Sequence, residues 1–158
     1  MVVEALSSTA DLADAREKLV QSFAGLDDAL LDLPDVVGRW SIRQTLAHLL
    51  GWDAWGVMAI VALERGREVA EPDDDAMNRD WLRRTRSLSG AELQRLLRAS
   101  RREMLDLLAA MPDEVRSQPR YDLGGAMLSP DEFVDGFIDH DTEHASEIRA
   151  WRKARGNA

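Results

Sequence analysis

The sequence predicts an all-α protein, a four-helix bundle with a long crossover between helices two and three. Apolar residues recur at steps of three, four and seven, alternation of β-branched residues is nearly absent, and serine caps precede the later stripes. With 158 residues, 45% apolar and 31% charged, the chain reads as one domain over 1–158 with a single core.

The first helix is expected from Thr9 to about Leu33, where Leu12, Leu19, Phe23, Leu26, Leu30 and Leu33 form one stripe and Pro34 ends it. Ser41 and Gln44 form a capping box for the second, which runs to a glycine stop at Gly66. Residues 67–88 are the crossover, with the acidic run EPDDD and a short helix around Met77 to Arg86. Ser89 and Glu92 repeat the capping box, and Leu93, Leu97, Ser100, Met104, Leu107 and Met111 mark helix three up to Pro112. Residues 112–128, with two prolines and the pair Gly124-Gly125, form an irregular connection. Ser129, Pro130, Asp131 and Glu132 then supply a cap, a proline at the first helical position and two carboxylates for the dipole, so helix four runs to about Lys153.

The absence of cysteine excludes a disulfide framework, a thiolate metal site and a cysteine nucleophile. The N-terminal stretch MVVEALSSTADLADAREK shows no secretory leader, which makes a cytoplasmic location the expectation. The apolar run from Ala54 to Leu63 is far shorter than the roughly 20 residues of a membrane span, so no membrane partner is expected. A net charge of -9 repels a phosphate backbone, and nucleic acid is excluded as an expected partner. The clusters Arg83, Arg84, Arg86 and Arg95, Arg98, Arg101, Arg102 are read as solvated helix faces.

The chemistry rests on the only three histidines, His48, His140 and His144. His140 and His144 project from one helix face about 40° apart, so both imidazoles reach one ion. They continue the stripe Phe133, Phe137, Ile148 and Trp151 and face the interior, and His48 lies in an apolar stretch of helix two. Singly, each reads better as a satisfied core histidine. Together, three buried neutral imidazoles are satisfied at once by a shared cation. All-nitrogen ligation suits nickel, zinc, copper or ferrous iron, and three ligands leave a coordination position open. Asp53, Asp141 and Glu143 are candidates for orienting a ring, with surface carboxylates the plainer reading. Trp52, Trp55 and Trp151 could wall a pocket, although packing is the commoner role. Trp40 reads as a hydrophobic staple before the second helix.

The segment Val37-Gly38-Arg39-Trp40-Ser41-Ile42-Arg43-Gln44-Thr45-Leu46-Ala47-His48-Leu49-Leu50-Gly51-Trp52-Asp53 resembles the helix-two signature of the DinB-like, or DinB/YfiT, superfamily of metalloenzymes. Asp139 to Arg152, containing His140 and His144, resembles its second motif, and Asn78 sits where related chains often carry asparagine. The resemblance implies a bundle with a long crossover and a metal, nickel or zinc, on the three histidines. It also implies a thiol-dependent S-transferase or isomerase acting on small electrophiles, with a low-molecular-weight thiol as cosubstrate. The alternatives are a metal-dependent hydrolase that protects against electrophilic toxins, and a non-catalytic metal- or small-molecule-binding bundle. In the thiol scheme Arg43, or an arginine of the crossover, receives a carboxylate on the thiol. A homodimer is expected because Ala54 to Leu63 is apolar around the whole helix.

Overall fold

In a computed structural model, which describes residues 9–156, the first apolar stripe folds as two helices where one was expected. Helix α1 (Thr9–Phe23) stops short of Gly25, whose φ of 73° lies in the left-handed region that glycine enters without steric cost. A four-residue helix, α2 (Asp28–Leu31), follows, capped by the Asp27 side chain. Leu26, Leu30 and Leu33 therefore belong to a turn and a short second helix, not to α1. Part of the stretch read as lacking a leader, residues 1–8, lies outside the described residues.

Helix α3 (Ile42–Glu64) begins with both bonds of the Ser41–Gln44 capping box in place. Gly66 beyond its end adopts a φ of 67°. In the crossover, α4 (Asp74–Thr85) starts earlier than expected, because Asp73 caps Ala76 N and the following aspartates sit in the first turn, where the dipole favours them. Helix α5 (Gly90–Ala109) opens on the Ser89–Glu92 capping box. The connection expected to be irregular holds a four-residue helix, α6 (Asp113–Arg116), and a hairpin of β1 (Tyr121–Leu123) and β2 (Ala126–Leu128). Gly124 and Gly125 form its two-residue turn, both with positive φ, a conformation the right-handed strand twist favours. Helix α7 (Pro130–Ala154) has its full capping box and proline at the first turn.

Helices α1, α3, α5 and α7 are the bundle, in the cyclic order α1, α7, α3, α5. Residue pairings set their directions. Arg16 meets Asp141 and Arg152 meets Ser22, so α1 and α7 run parallel. His48 meets His140, while Gly56 lies against Phe137, so α3 and α7 are antiparallel. Asp53 meets Ser100 and Gly56 lies against Met104, which makes α3 and α5 parallel neighbours. Two consecutive parallel helices need a connection that travels back along the bundle, and α4, packed on α3, is that connection. Its approach depends on Gly51: a Cβ there would stand 2.9 Å from both Met77 Cγ and Trp81 Cδ1.

By length and composition α3 could cross a membrane, yet most of it is covered by α4, α5 and α7, and its His48 and Asp53 point inward. The crossover also covers part of the α3 face assigned to a dimer, with Trp55 Nε1 donating to Ala70 O at 3.0 Å, while Met58 remains half exposed.

Candidate metal centre

His48 lies near the start of α3, and His140 and His144 lie one turn apart on the antiparallel α7, so the three rings converge across one helix seam. One ring nitrogen from each falls within 4.8 Å of the others. His48 Nε2 is 2.9 Å from His140 Nε2. The outer nitrogens are held from behind. His48 Nδ1 donates to Asn78 Oδ1 on α4 at 2.9 Å, and His144 Nδ1 donates to Glu147 Oε2 at 2.7 Å. With those protons on Nδ1, the Nε2 of each ring presents a lone pair toward the cluster.

The donor set fits a cation. His144 Nε2 is buried without a hydrogen-bond partner, a costly state that a bound ion would relieve. Burial, and then repulsion from His48 and His144, pushes the His140 imidazole down to about 3. Burial also lowers His48, against the pull of its bond to Asn78. Both rings are thus held in the neutral form that a metal ligand requires.

The axial register that brings the rings together is set in the bundle centre. Arg16 of α1 donates from Nη1 to Asp53 Oδ2 at 2.6 Å and from Nε to Asp141 Oδ2 at 2.8 Å. Arg101 of α5 reaches the same two carboxylates at 3.0 and 3.1 Å, and Ser100 Oγ donates to Asp53 Oδ2. All four charged groups are almost fully buried. Burial alone would raise Asp53, but Arg16 and Arg101 hold its carboxyl below the usual range.

Two sequence expectations are corrected here. Asp53 and Asp141 are not surface carboxylates, although Glu143 is exposed. Arg101 is not on a solvated face, whereas Arg95, Arg98 and Arg102 are exposed. The signal for Asp53 was present: it is the one charged residue between Arg43 and Glu64. Glu147 carries a signal too, since it follows His144 by three residues on the same helix.

A pocket of about 490 Å³ opens beside the cluster, reached by His48 and His140 and walled by Trp52, Trp55, Phe133 and Phe137. Leu123 and Leu128 of the hairpin close one side, and Glu71 and Asp74 of the crossover another. Trp151 takes no part; it packs against the core around Leu19 and Ile148. Trp40 packs on that core as well, with its ring edge-on to His48 at 5.0 Å between centroids. Arg43 cannot receive a substrate carboxylate, because it is buried and bonded to Asp32 and to the carbonyls of Thr85 and Leu88.

A family model described as the DinB superfamily matches residues 11–148. The chain belongs to the DinB superfamily. Among solved structures, YfiT from Bacillus subtilis, described as a probable metal-dependent hydrolase with an unusual four-helix bundle topology, is similar at 18% identity and a TM-score of 0.76, over 100% of this chain and 94% of that one. An uncharacterised protein from Clostridium difficile 630 is similar at 18% identity and a TM-score of 0.76, over 92% and 93%. The colibactin self-resistance protein ClbS, solved in complex with double-stranded DNA, is similar at 12% identity and a TM-score of 0.75, over 92% and 93%. Comparison with curated proteins gave no match.

The ClbS complex corrects the exclusion of nucleic acid. Net charge alone does not remove DNA from the partners of this fold, because local placement of charge and shape decides such contacts.

Proposed function

We propose that this DinB-superfamily protein is a metal-dependent enzyme that holds one divalent transition metal, zinc or nickel, on His48, His140 and His144, and acts on a small molecule in the adjoining aromatic pocket. The observation that carries this reading is the buried, unpartnered His144 Nε2, set beside His48 and His140, two neutral imidazoles that line a substrate-sized cavity. Such an ion is a Lewis acid that eases ionisation of a water or thiol beside it. Asn78 and Glu147 hold the His48 and His144 rings in orientation, and Trp52, Trp55, Phe133 and Phe137 receive the apolar body of the substrate and exclude bulk water.

Water is the nucleophile this pocket supports best. Its lining contains no lysine or arginine, and Arg43 is engaged elsewhere, so nothing there would receive the carboxylate of an anionic thiol. The description of YfiT as a probable metal-dependent hydrolase supports the same choice. The thiol-dependent transferase, first among the expectations from the sequence, becomes the second reading, supported by a cavity of about 490 Å³ that has room for an uncharged thiol beside a small electrophile.

The two are separated by steady-state rates on ester, amide and strained-ring substrates, with and without added thiols, using metal-loaded protein, chelated protein and His48→Ala. Hydrolysis lost on chelation and in the variant supports the first reading. A rate that requires thiol supports the second, and no turnover with either class leaves a non-catalytic binding bundle. We further infer a homodimer through the outer face of α3, where Met58 is half exposed; a monomeric mass by light scattering would refute it.

A further inference from the structure

The pocket beside the histidines is polarised along its length. Its walls are aromatic, and its charged lining consists of three carboxylates, Glu71, Asp74 and Glu132, with no lysine or arginine. Glu132 precedes His140 by eight residues on α7, about 12 Å at the helical rise. Glu71 follows Ala70, whose carbonyl anchors Trp55, and Trp55 lies seven residues beyond His48 on α3, about 10 Å along that helix. The histidines therefore occupy one end and Glu71 and Glu132 the other, with Trp52, Trp55, Phe133 and Phe137 between.

Neither Glu71 nor Asp74 forms an ion pair among the described residues. Glu132 spends one oxygen on Ser129 N, at 2.7 Å, in its capping box. Glu71, Asp74 and Glu132 are exposed, so solvent screens part of their charge, while the aromatic walls weaken that screening on the side that faces the cavity. Indole and phenyl faces add an attraction of the same sign for a cation.

We propose that the pocket selects a small molecule with an ammonium or quaternary ammonium group, which sits between Glu71, Glu132 and the aromatic rings at the end remote from the histidines. Its uncharged, reacting end points to His48 and His140; this orientation rests on the metal-enzyme reading above. Anionic substrates and anionic cosubstrates are disfavoured by the same charges.

The test uses choline and its uncharged carbon isostere, 3,3-dimethylbutan-1-ol, which share a hydroxyl and a shape and differ in one positive charge. Binding to the full-length protein is followed by tryptophan fluorescence and calorimetry, and zinc stoichiometry is measured on the same preparation. Choline is expected to bind about tenfold more tightly than the isostere at low salt, with the preference shrinking as ionic strength rises. Glu132→Gln, which keeps the capping box, combined with Glu71→Gln in an exposed loop should bring the two affinities within about threefold. Equal binding of the two probes, or a preference that survives the double variant, overturns the proposal even if zinc binds. A choline preference that the double variant abolishes supports it even if zinc does not bind, in which case the metal reading alone fails.

Discussion

His48 Nε2 and His140 Nε2 face each other at 2.9 Å across the seam between two antiparallel helices. Two neutral imidazoles can share one proton at that distance, but the third ring, His144, leaves its inner nitrogen buried and unpaired. A bound cation would satisfy the inner nitrogens of all three rings at once.

Loss of a ligand and loss of its support should therefore differ in degree. Asn78→Ala and Glu147→Ala, which free the His48 and His144 rings to turn, are expected to weaken zinc affinity by about 10- to 100-fold. His140→Ala should weaken it further than either. Competition titration against a chromophoric chelator checks the order; equal effects would remove the orienting roles.

The buried charges at the bundle centre join all four helices, so breaking them should cost stability before chemistry. Arg16→Met leaves Asp53 and Asp141 sharing one guanidinium, and about 3–5 kcal/mol of unfolding free energy should be lost. Urea denaturation of the variant measures it. A loss under 1 kcal/mol would mean that Arg101 alone suffices to neutralise the pair.

How much of this could be read in the sequence follows from where the information is local. The capping boxes expected at Ser41 and Ser89 form, and the serine cap expected at Ser129 forms too, completed by Glu132 into a third box, because each bonds residues three apart in the chain. The His140–His144 pair was legible for the same reason. The break at Gly25 was hidden because leucines on either side kept helical spacing through a turn. The hairpin was missed although Gly124-Gly125 signals one, since its strands are only three residues long and show little alternation. Asp141 and Arg101 could be placed only by knowing which helices touch, because each lies among other charged residues of its own helix and reads as surface until its counter-ion is brought in from another; Asp53, the one charge on an apolar stretch, carried a signal of burial but none of its partners.

Acid should destabilise the chelated protein over a defined range. His140 is held near 3 in the folded state against 6.5 for an unperturbed histidine, so the unfolded chain takes up the proton first. Its contribution to stability is complete above about pH 6.5 and declines as the pH falls toward 3. Asp53, depressed below the carboxylate range by its arginines, adds a further loss at still lower pH. Urea midpoints at pH 7.5, 6 and 5 should fall in that order, and His140→Gln should flatten the series. A midpoint that is constant or rises on acidification would contradict the neutral state assigned to His140.

The central claim is that one metal ion sits on three Nε2 atoms, and a crystal of untagged protein grown with zinc tests it directly. The account predicts a single strong anomalous peak at the zinc edge about 2.0–2.1 Å from Nε2 of each of His48, His140 and His144, with Asn78 and Glu147 still bonded to the outer nitrogens. A fully grown crystal with no peak at the cluster, or a peak that touches fewer than three of these nitrogens, would contradict it.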